Sequence, residues 1–371
     1  MNTEQSLLQS YTLGTLELPN RVVMAPLTRS RAANDENKPT TDLHAVYYPQ
    51  RASAGLIISE GSQISKEAVG AINTPGIHSK AQVEGWKIVT EKVHAAGGRI
   101  FCQLWHVGRI SHPDFHDGDL PLAPSALNPE AEVFTPDGEK KTGIPKAMSK
   151  EDIERTISDY VKAAENAIEA GFDGIEIHAS NGYLLHQFFS STSNIRTDEY
   201  GGSHENKARI LFEILDAVKK AVPENKIGVR LNPSLHGIFG MTLDEDSIPT
   251  FDYIVKKLND YELAYLHLSE PFNDVSDVLY AETEIAKRYR PMYKGTLMIN
   301  AGFDQEKGNA VIERGDADLV AFGKLYISNP DLVERFEQNV PTSDWNTDTF
   351  YTPGKEGYID YEAKARKSEL V

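Results

Sequence analysis

At 371 residues, with 40% hydrophobic and 25% charged side chains, the chain has ordinary globular composition and enough length to bury a large core. Its net charge of -17 argues against a nucleic-acid partner, since phosphate binding needs clustered Lys and Arg. The one cysteine, Cys102, excludes an intrachain disulfide and any all-cysteine zinc or iron–sulfur site, and it fits a reducing compartment.

The start of the chain, Met1-Asn2-Thr3-Glu4-Gln5, lacks the basic-then-apolar run of a signal peptide, and no eighteen consecutive apolar residues occur. The expectation is a cytoplasmic protein with no membrane partner. Tyr11 to Pro19 reads as a hairpin. Eight short apolar, β-branched runs then recur, each followed by a turn and a helical stretch: Arg21 to Leu27, Gly55 to Gly61, Arg99 to His106, Gly174 to Ala179, Ile227 to Asn232, Tyr265 to Glu270, Thr296 to Gly302 and Leu319 to Lys324. Three helices stand out between them. Lys80 to Ala96 ends at Gly97-Gly98, Lys150 to Ala170 opens with Ser149 and Asp152 as a variant capping box and closes at Gly171, and Asn206 to Val222 stops before Pro223.

Eight β/α units predict a single (β/α)8 barrel over residues 1–371, with the hairpin closing its bottom. Such barrels typically need about 250 residues, so the surplus must lie in additions. The hairpin, a Gly/Pro/Asp-rich insertion after strand three (His106 to Pro145) and a polar, aromatic tail (Asp344 to Val371) hold it. No internal repeat or linker divides the chain.

Chemistry in these barrels sits at the C-terminal strand ends. Gly302 and Gly323, at the ends of strands seven and eight, leave backbone N–H groups accessible to a phosphate, and Lys324 adds a cation; otherwise they are turn glycines and a solvated lysine. Gln103 and Arg230 enter the barrel mouth, where an amide suits a heterocycle's polar edge and a guanidinium stabilises developing negative charge. The plainer alternative is a Gln satisfied by backbone and an Arg paired with a carboxylate. His178, Asn181 and Tyr183 form the sharpest group, because His and Asn can donate two hydrogen bonds to one oxygen while Tyr offers a proton. His186 beside them reads as structural, and His94 as facing solvent or its own helix.

Competing motifs are missing. No Gly-x-Gly-x-x-Gly follows a strand and no Walker sequence occurs, which disfavours a Rossmann domain or P-loop. His106, His112 and His116 lie in an irregular loop without a convincing carboxylate partner, so no metal site is expected.

These strand-end residues resemble the old yellow enzyme family, especially its bacterial N-ethylmaleimide, nitrate-ester and xenobiotic reductases. The likeness runs nearly end to end. It covers Pro19-Asn20-Arg21, Met24 through Arg29, Gln103 through Arg109, His178 through Tyr183, Asn194 through Ser203 and Ile327 through Leu332.

The resemblance implies bound FMN and NADPH or NADH as reductant, used in turn with a small-molecule acceptor at one site in a ping-pong cycle. Activated alkenes such as α,β-unsaturated carbonyls, maleimides and nitro compounds are the implied acceptors, with NADPH preferred. Thr28, flanked by Pro26 and Leu27, would tune the flavin; Gln103 and Arg230 would hold its pyrimidine edge, and Gly61 would add a backbone contact. Ala301, Gly302, Phe303, Gly323 and Lys324 would take the phosphate. His178 and Asn181 would grip the acceptor's oxygen, Tyr183 would deliver the proton, Trp105 and Tyr351 would wall the pocket, and Phe350 would pack near the flavin.

Three positions depart from the bacterial pattern. Lys324 stands where the family usually has Arg, trading a bidentate fork for a point charge. Asn181 replaces a second His, as in yeast members, and Ala71 stands where close relatives have a pocket tyrosine. The same barrel could instead serve as a quinone or dedicated enone reductase, a non-catalytic flavin sensor, or a cofactor-free hydrolase. The last gives Gln103, Arg230 and the phosphate end no role. Oligomeric state is not legible, because core-facing and partner-facing apolar surfaces read alike.

Overall fold

The computed structural model describes residues 5–33, 36–39 and 42–365. Residues 1–4, which carry most of the N-terminal reading, and residues 366–371 of the expected tail lie outside the described residues. Eight parallel strands form a ring: β1 (Val22–Met24), β2 (Leu56–Ile58), β3 (Ile100–Trp105), β4 (Gly174–His178), β5 (Ile227–Leu231), β6 (Tyr265–Ser269), β7 (Leu297–Asn300) and β8 (Leu319–Phe322). Each pairs with the next, and Val320 of β8 pairs with Val22 of β1 to close the barrel. Every strand falls inside its predicted run but stops short of the run's C-terminal end. Those last residues leave the ladder to build the barrel mouth.

Alternation along the strands divides the core in two. Outward residues such as Ile57, Leu104, Ile175, Ile177 and Val229 pack under the helices. Inward residues Val23, Leu56, Phe101, Tyr265, Met298 and Leu319 fill the lower barrel, and Leu13 and Leu18 of the hairpin (Tyr11–Leu13 with Leu16–Leu18) plug its floor. Two glycines make this filling possible. A Cβ on Gly228 would lie 2.3 Å from the Tyr265 ring, and one on Gly174 2.4 Å from Phe101. Small residues on β4 and β5 therefore admit two large rings, 5.8 Å apart, from β3 and β6.

The long helices are capped at their N-termini, one of them by the box that its sequence predicts. Ser149 Oγ accepts from the Asp152 N–H while Asp152 Oδ2 accepts from the Ser149 N–H, opening Lys150–Glu169. Ser79 and Gln82 do the same for Lys80–Ala95. The third helix is His204–Val218, not Asn206 to Val222: Ser203 caps it by accepting from the Asn206 N–H, so the start moves two residues earlier, and the end falls at Val218. His94 does not simply face solvent; its Nε2 meets Asp173 Oδ2 at 3.0 Å, tying that helix to the turn before β4.

The insertion after β3 carries an antiparallel hairpin, Glu132–Thr135 with Gly138–Lys141, and Leu122–Ala123 pairs with Lys146–Ala147 at its base. Among the described residues, no helix is long and apolar enough to cross a membrane.

Candidate active site

Five consecutive strands each contribute one inward polar residue just above the apolar filling. Gln103, Glu176, Arg230, His267 and Asn300 are all buried. Gln103 Nε2 donates to Glu176 Oε1 at 2.7 Å, and His267 Nδ1 lies 2.8 Å from Glu176 Oε2. Burial opposes the charge on Glu176, but His267, Arg230 and the Gln103 amide outweigh it and hold the carboxyl below its usual range. Burial keeps His267 neutral, so its Nδ1–H is the donor. With its amide nitrogen facing Leu268 O and Ser269 Oγ, Asn300 accepts from Arg230 Nη2 at 2.9 Å. Arg230 Nε is buried without a partner among the described residues, as is Trp105 Nε1.

Two residues beyond Glu176 stands His178, the last of β4, followed by a turn in which Asn181 (φ 59°) and Gly182 (φ 81°) are left-handed. Asn tolerates this region better than most side chains. The turn swings Tyr183 back so that its ring meets His178 edge-on, with centroids 5.1 Å apart.

Neighbouring contacts make both His178 and Asn181 donors. The Ser180 N–H (3.4 Å) and hydroxyl (3.1 Å) face His178 Nδ1. Burial first, and then the Arg230 charge, push the His178 pKa well below its ordinary value. The ring is therefore neutral, Nδ1 accepts, and the proton sits on Nε2. Asn232 Nδ2 donates to Asn181 Oδ1 at 3.3 Å, which leaves the Asn181 NH2 to face elsewhere. Burial raises the Tyr183 pKa, so its phenol stays protonated.

Aromatic residues wall this group. Trp105 stands 5.1 Å from Tyr183 and Phe239 5.6 Å from it. Gly61 is required by Trp105, because a Cβ there would lie 2.8 Å from the indole ring. Tyr351 is near enough to raise the Tyr183 pKa further. Its chain segment is strapped down by two buried arginines from the turn after β1. Arg29 donates to Phe350 O (3.1 Å) and Gly357 O (2.7 Å), and Arg31 to Phe350 O (2.7 Å), Thr349 O (2.8 Å) and Glu356 O (3.0 Å).

Arg31→Lys keeps the charge but cannot reach all these carbonyls at once. The expected result is a loss of roughly 2 kcal/mol of stability, with a raised KM for the acceptor and little change in kcat. Steady-state kinetics check it; an unchanged KM would show that the strap does not border the acceptor.

At the opposite rim the chain turns sharply after β7, where Ala301 (φ 74°) and Gly302 (φ 78°) are both left-handed. Nothing lies within 4 Å of where a Gly302 Cβ would stand, and only Leu27 Cδ2, at 3.4 Å, approaches that of Gly323. The β1 end (Pro26, Leu27, Thr28, all half-buried) and the β8 end thus come together around open backbone. Lys324 is exposed, with Nζ 5.9 Å from the Trp345 ring centre, and Phe303 packs against the outer core.

A cavity of about 830 Å³ is bordered by Ala301, Gly302 and Phe303 together with Glu270, Lys307 and Arg314. It touches the expected phosphate end, but none of Gln103, His178, Tyr183 or Arg230 lines it. The orphaned Arg230 Nε and the open glycines fit a ligand with acceptors at one end and a phosphate at the other, as FMN has.

Among the described residues, no group of three His, Cys, Asp or Glu could hold a metal. His116 Nε2 meets Ser111 Oγ, His112 Nδ1 accepts from the Asp114 N–H, and His106 Nδ1 accepts from the Gly108 N–H.

Comparison with known proteins agrees with this geometry. The model of the NADH:flavin oxidoreductase / NADH oxidase family matches residues 6–343. 12-Oxophytodienoate reductase 1 of Oryza sativa subsp. japonica is 40% identical over 359 residues, covering 96% of this chain and 92% of that protein. The structure of morphinone reductase in complex with tetrahydroNAD superposes with a TM-score of 0.90 at 43% identity, over 97% of this chain and 98% of that one. The old yellow enzyme homologue from Zymomonas mobilis gives 0.90 at 40%, over 96% and 99%. The chain belongs to the old yellow enzyme family.

It is accordingly an NAD(P)H-dependent flavin oxidoreductase on a (β/α)8 barrel. In this old yellow enzyme the residues that sequence reasoning overlooked are the supports. Glu176 and His267 are ionisable residues inside apolar strands, Gly-Ile-Glu-Ile-His and Tyr-Leu-His-Leu-Ser, and that mismatch with a buried strand was the available signal. Phe239 gave none. It stands in the irregular chain after β5 and reaches Tyr183 only through the fold.

Proposed function

We propose that the chain, working as one FMN-binding domain in the cytoplasm, is an ene-reductase that draws on NADPH or NADH to reduce α,β-unsaturated carbonyls, maleimides and nitro compounds. FMN, when bound, would supply the hydride relay between the nicotinamide and the acceptor. Gln103 and Arg230 would hold the flavin's pyrimidine edge, Pro26, Leu27, Thr28 and Gly61 its rim, and Ala301, Gly302, Phe303, Gly323 and Lys324 its phosphate.

The observation that carries this reading is that His178 and Asn181 are both oriented as donors beside a protonated Tyr183. Two N–H groups on one acceptor oxygen withdraw electron density from the conjugated double bond and stabilise the negative charge that its reduction creates. Tyr183 then supplies the proton. Because His178 is already neutral, this polarisation does not depend on its titration near pH 7. Trp105 and Tyr351 would enclose the acceptor.

The test is a visible spectrum of the purified protein, followed by anaerobic addition of NADPH or NADH and then 2-cyclohexenone. The expected record is a flavin band that bleaches with the nicotinamide and returns with the enone. A band that bleaches and never returns would overturn the acceptor assignment, and protein that binds no FMN would overturn the whole reading.

A further inference from the structure

The buried pair beneath the site, Glu176 and His267, has no part in the chemistry assigned to His178, Asn181 and Tyr183. It is also costly to keep. A carboxylate with no solvent contact must be compensated by partners, and strand positions facing a barrel interior ordinarily hold apolar residues. Three neighbours of Glu176 lie toward the proposed flavin edge: Gln103 through its Nε2 at 2.7 Å, His267 at 2.8 Å, and Arg230 as the nearby cation; from the filling below, the Tyr265 phenol is close enough for the carboxylate to raise its pKa.

We propose that Glu176, locked by His267, is the positioning residue that sets which way the Gln103 amide faces and how much of the Arg230 charge reaches a flavin at the barrel mouth. The inference rests on FMN binding at Gln103 and Arg230 as proposed above. With its Nε2 turned to Glu176, Gln103 is left to present Oε1 and one remaining N–H. Register places Glu176 opposite Gln103 across β3 and β4, and Arg230 opposite both His178 and His267. The carboxylate therefore lies one layer below the site and partly offsets the guanidinium. Reduction puts negative charge on the flavin's pyrimidine edge, which Arg230 favours and Glu176 opposes.

Removing that opposition has a defined sign. Glu176→Gln keeps the shape and loses the charge, and His267 can change tautomer to satisfy the new amide. The flavin's midpoint potential should rise, by about 30 mV if the reduced-to-oxidised ratio changes tenfold for a two-electron couple. Reduction by NADPH should speed up while reoxidation by the enone slows. His267→Gln leaves the carboxylate in place, so its potential should stay close to that of the unaltered protein.

The experiment is a spectroscopic redox titration of the FMN-loaded protein and both variants, with stopped-flow rates for each half-reaction. A raised potential and opposed rate changes in Glu176→Gln alone support the proposal. Bound flavin with an unchanged potential in Glu176→Gln, or both half-reactions slowed together, overturns it and reduces Glu176 to a structural residue. Equal shifts in the two variants also overturn it, since they would report packing rather than charge. If the unaltered protein binds no FMN, it is the proposed function that fails.

Discussion

Replacing Tyr183 with Phe is expected to lower turnover with 2-cyclohexenone about 10²–10⁴-fold, the range of a lost general acid, while leaving flavin reduction by the nicotinamide nearly unchanged. Tyr183 packs through its ring, against Trp105, His178 and Phe239, and Phe keeps that packing. Only the proton is lost, and burial holds that proton on the oxygen at all ordinary pH values. The two half-reactions must therefore separate. Stopped-flow bleaching by NADPH should match the unaltered protein, and the slow step should appear when the enone is added. Acceptors whose reduced form needs no immediate protonation at carbon should be spared. Equal loss in both half-reactions would mean that Tyr183 shapes the site rather than donating to the acceptor.

The barrel was legible because its signal is repeated. Eight apolar runs with turn residues at their C-terminal ends leave few other topologies, and their polar ends pick out His178, Gln103 and Arg230 directly. Strand ends were overestimated for a physical reason: Pro26-Leu27, Glu60-Gly61 and Ala301-Gly302 continue the chain in extended or turning form without ladder partners. The helix at His204 began earlier than its apolar pattern because a serine cap, rather than hydrophobic periodicity, fixes a first turn.

What stayed hidden is what depends on tertiary approach. The need for Gly61 comes from Trp105, that for Gly228 from Tyr265, and the anchoring of Phe350 and Tyr351 from arginines more than 300 residues away in sequence. Lys324 is the instructive case. Its place at strand eight's end was legible, but the exposed approach of its Nζ to the Trp345 ring was not, because that ring arrives from the tail.

Acid should unfold this protein early, and the reason lies in its buried histidines. Burial, with smaller help from His116 and Arg155, pushes His106 down to about 3; burial and then Arg109 do the same to His186; burial and then Arg230 push His178 well below its ordinary value. In the unfolded chain each titrates near 6.5. Above that pH neither state is protonated and the difference costs nothing. As pH falls through 6.5 the unfolded chain takes up a proton at each of these residues, and at His267, that the folded one refuses, so stability is lost continuously from there toward pH 3.

Between pH 7.5 and 5 each histidine removes roughly 2 kcal/mol, and three together remove a large share of the 5–15 kcal/mol that holds a typical native protein. At about 2.1 cal/mol/K per residue of unfolding entropy the midpoint should drop by roughly 8 °C. Thermal scans of the FMN-loaded protein across that range test this, and His186→Gln sharpens it. Its Oε1 can accept from the Gly182 N–H that His186 Nδ1 now receives at 3.3 Å, so the fold survives while one titrating group disappears. That variant should lose stability less steeply with acid, by the one histidine's share of roughly 2 kcal/mol between pH 7.5 and 5. A midpoint that is flat from pH 7.5 to 5 would mean these rings take up protons in the folded state. His178 would then be a charged donor, and polarisation of the acceptor would gain the pH dependence that its neutral form denies it.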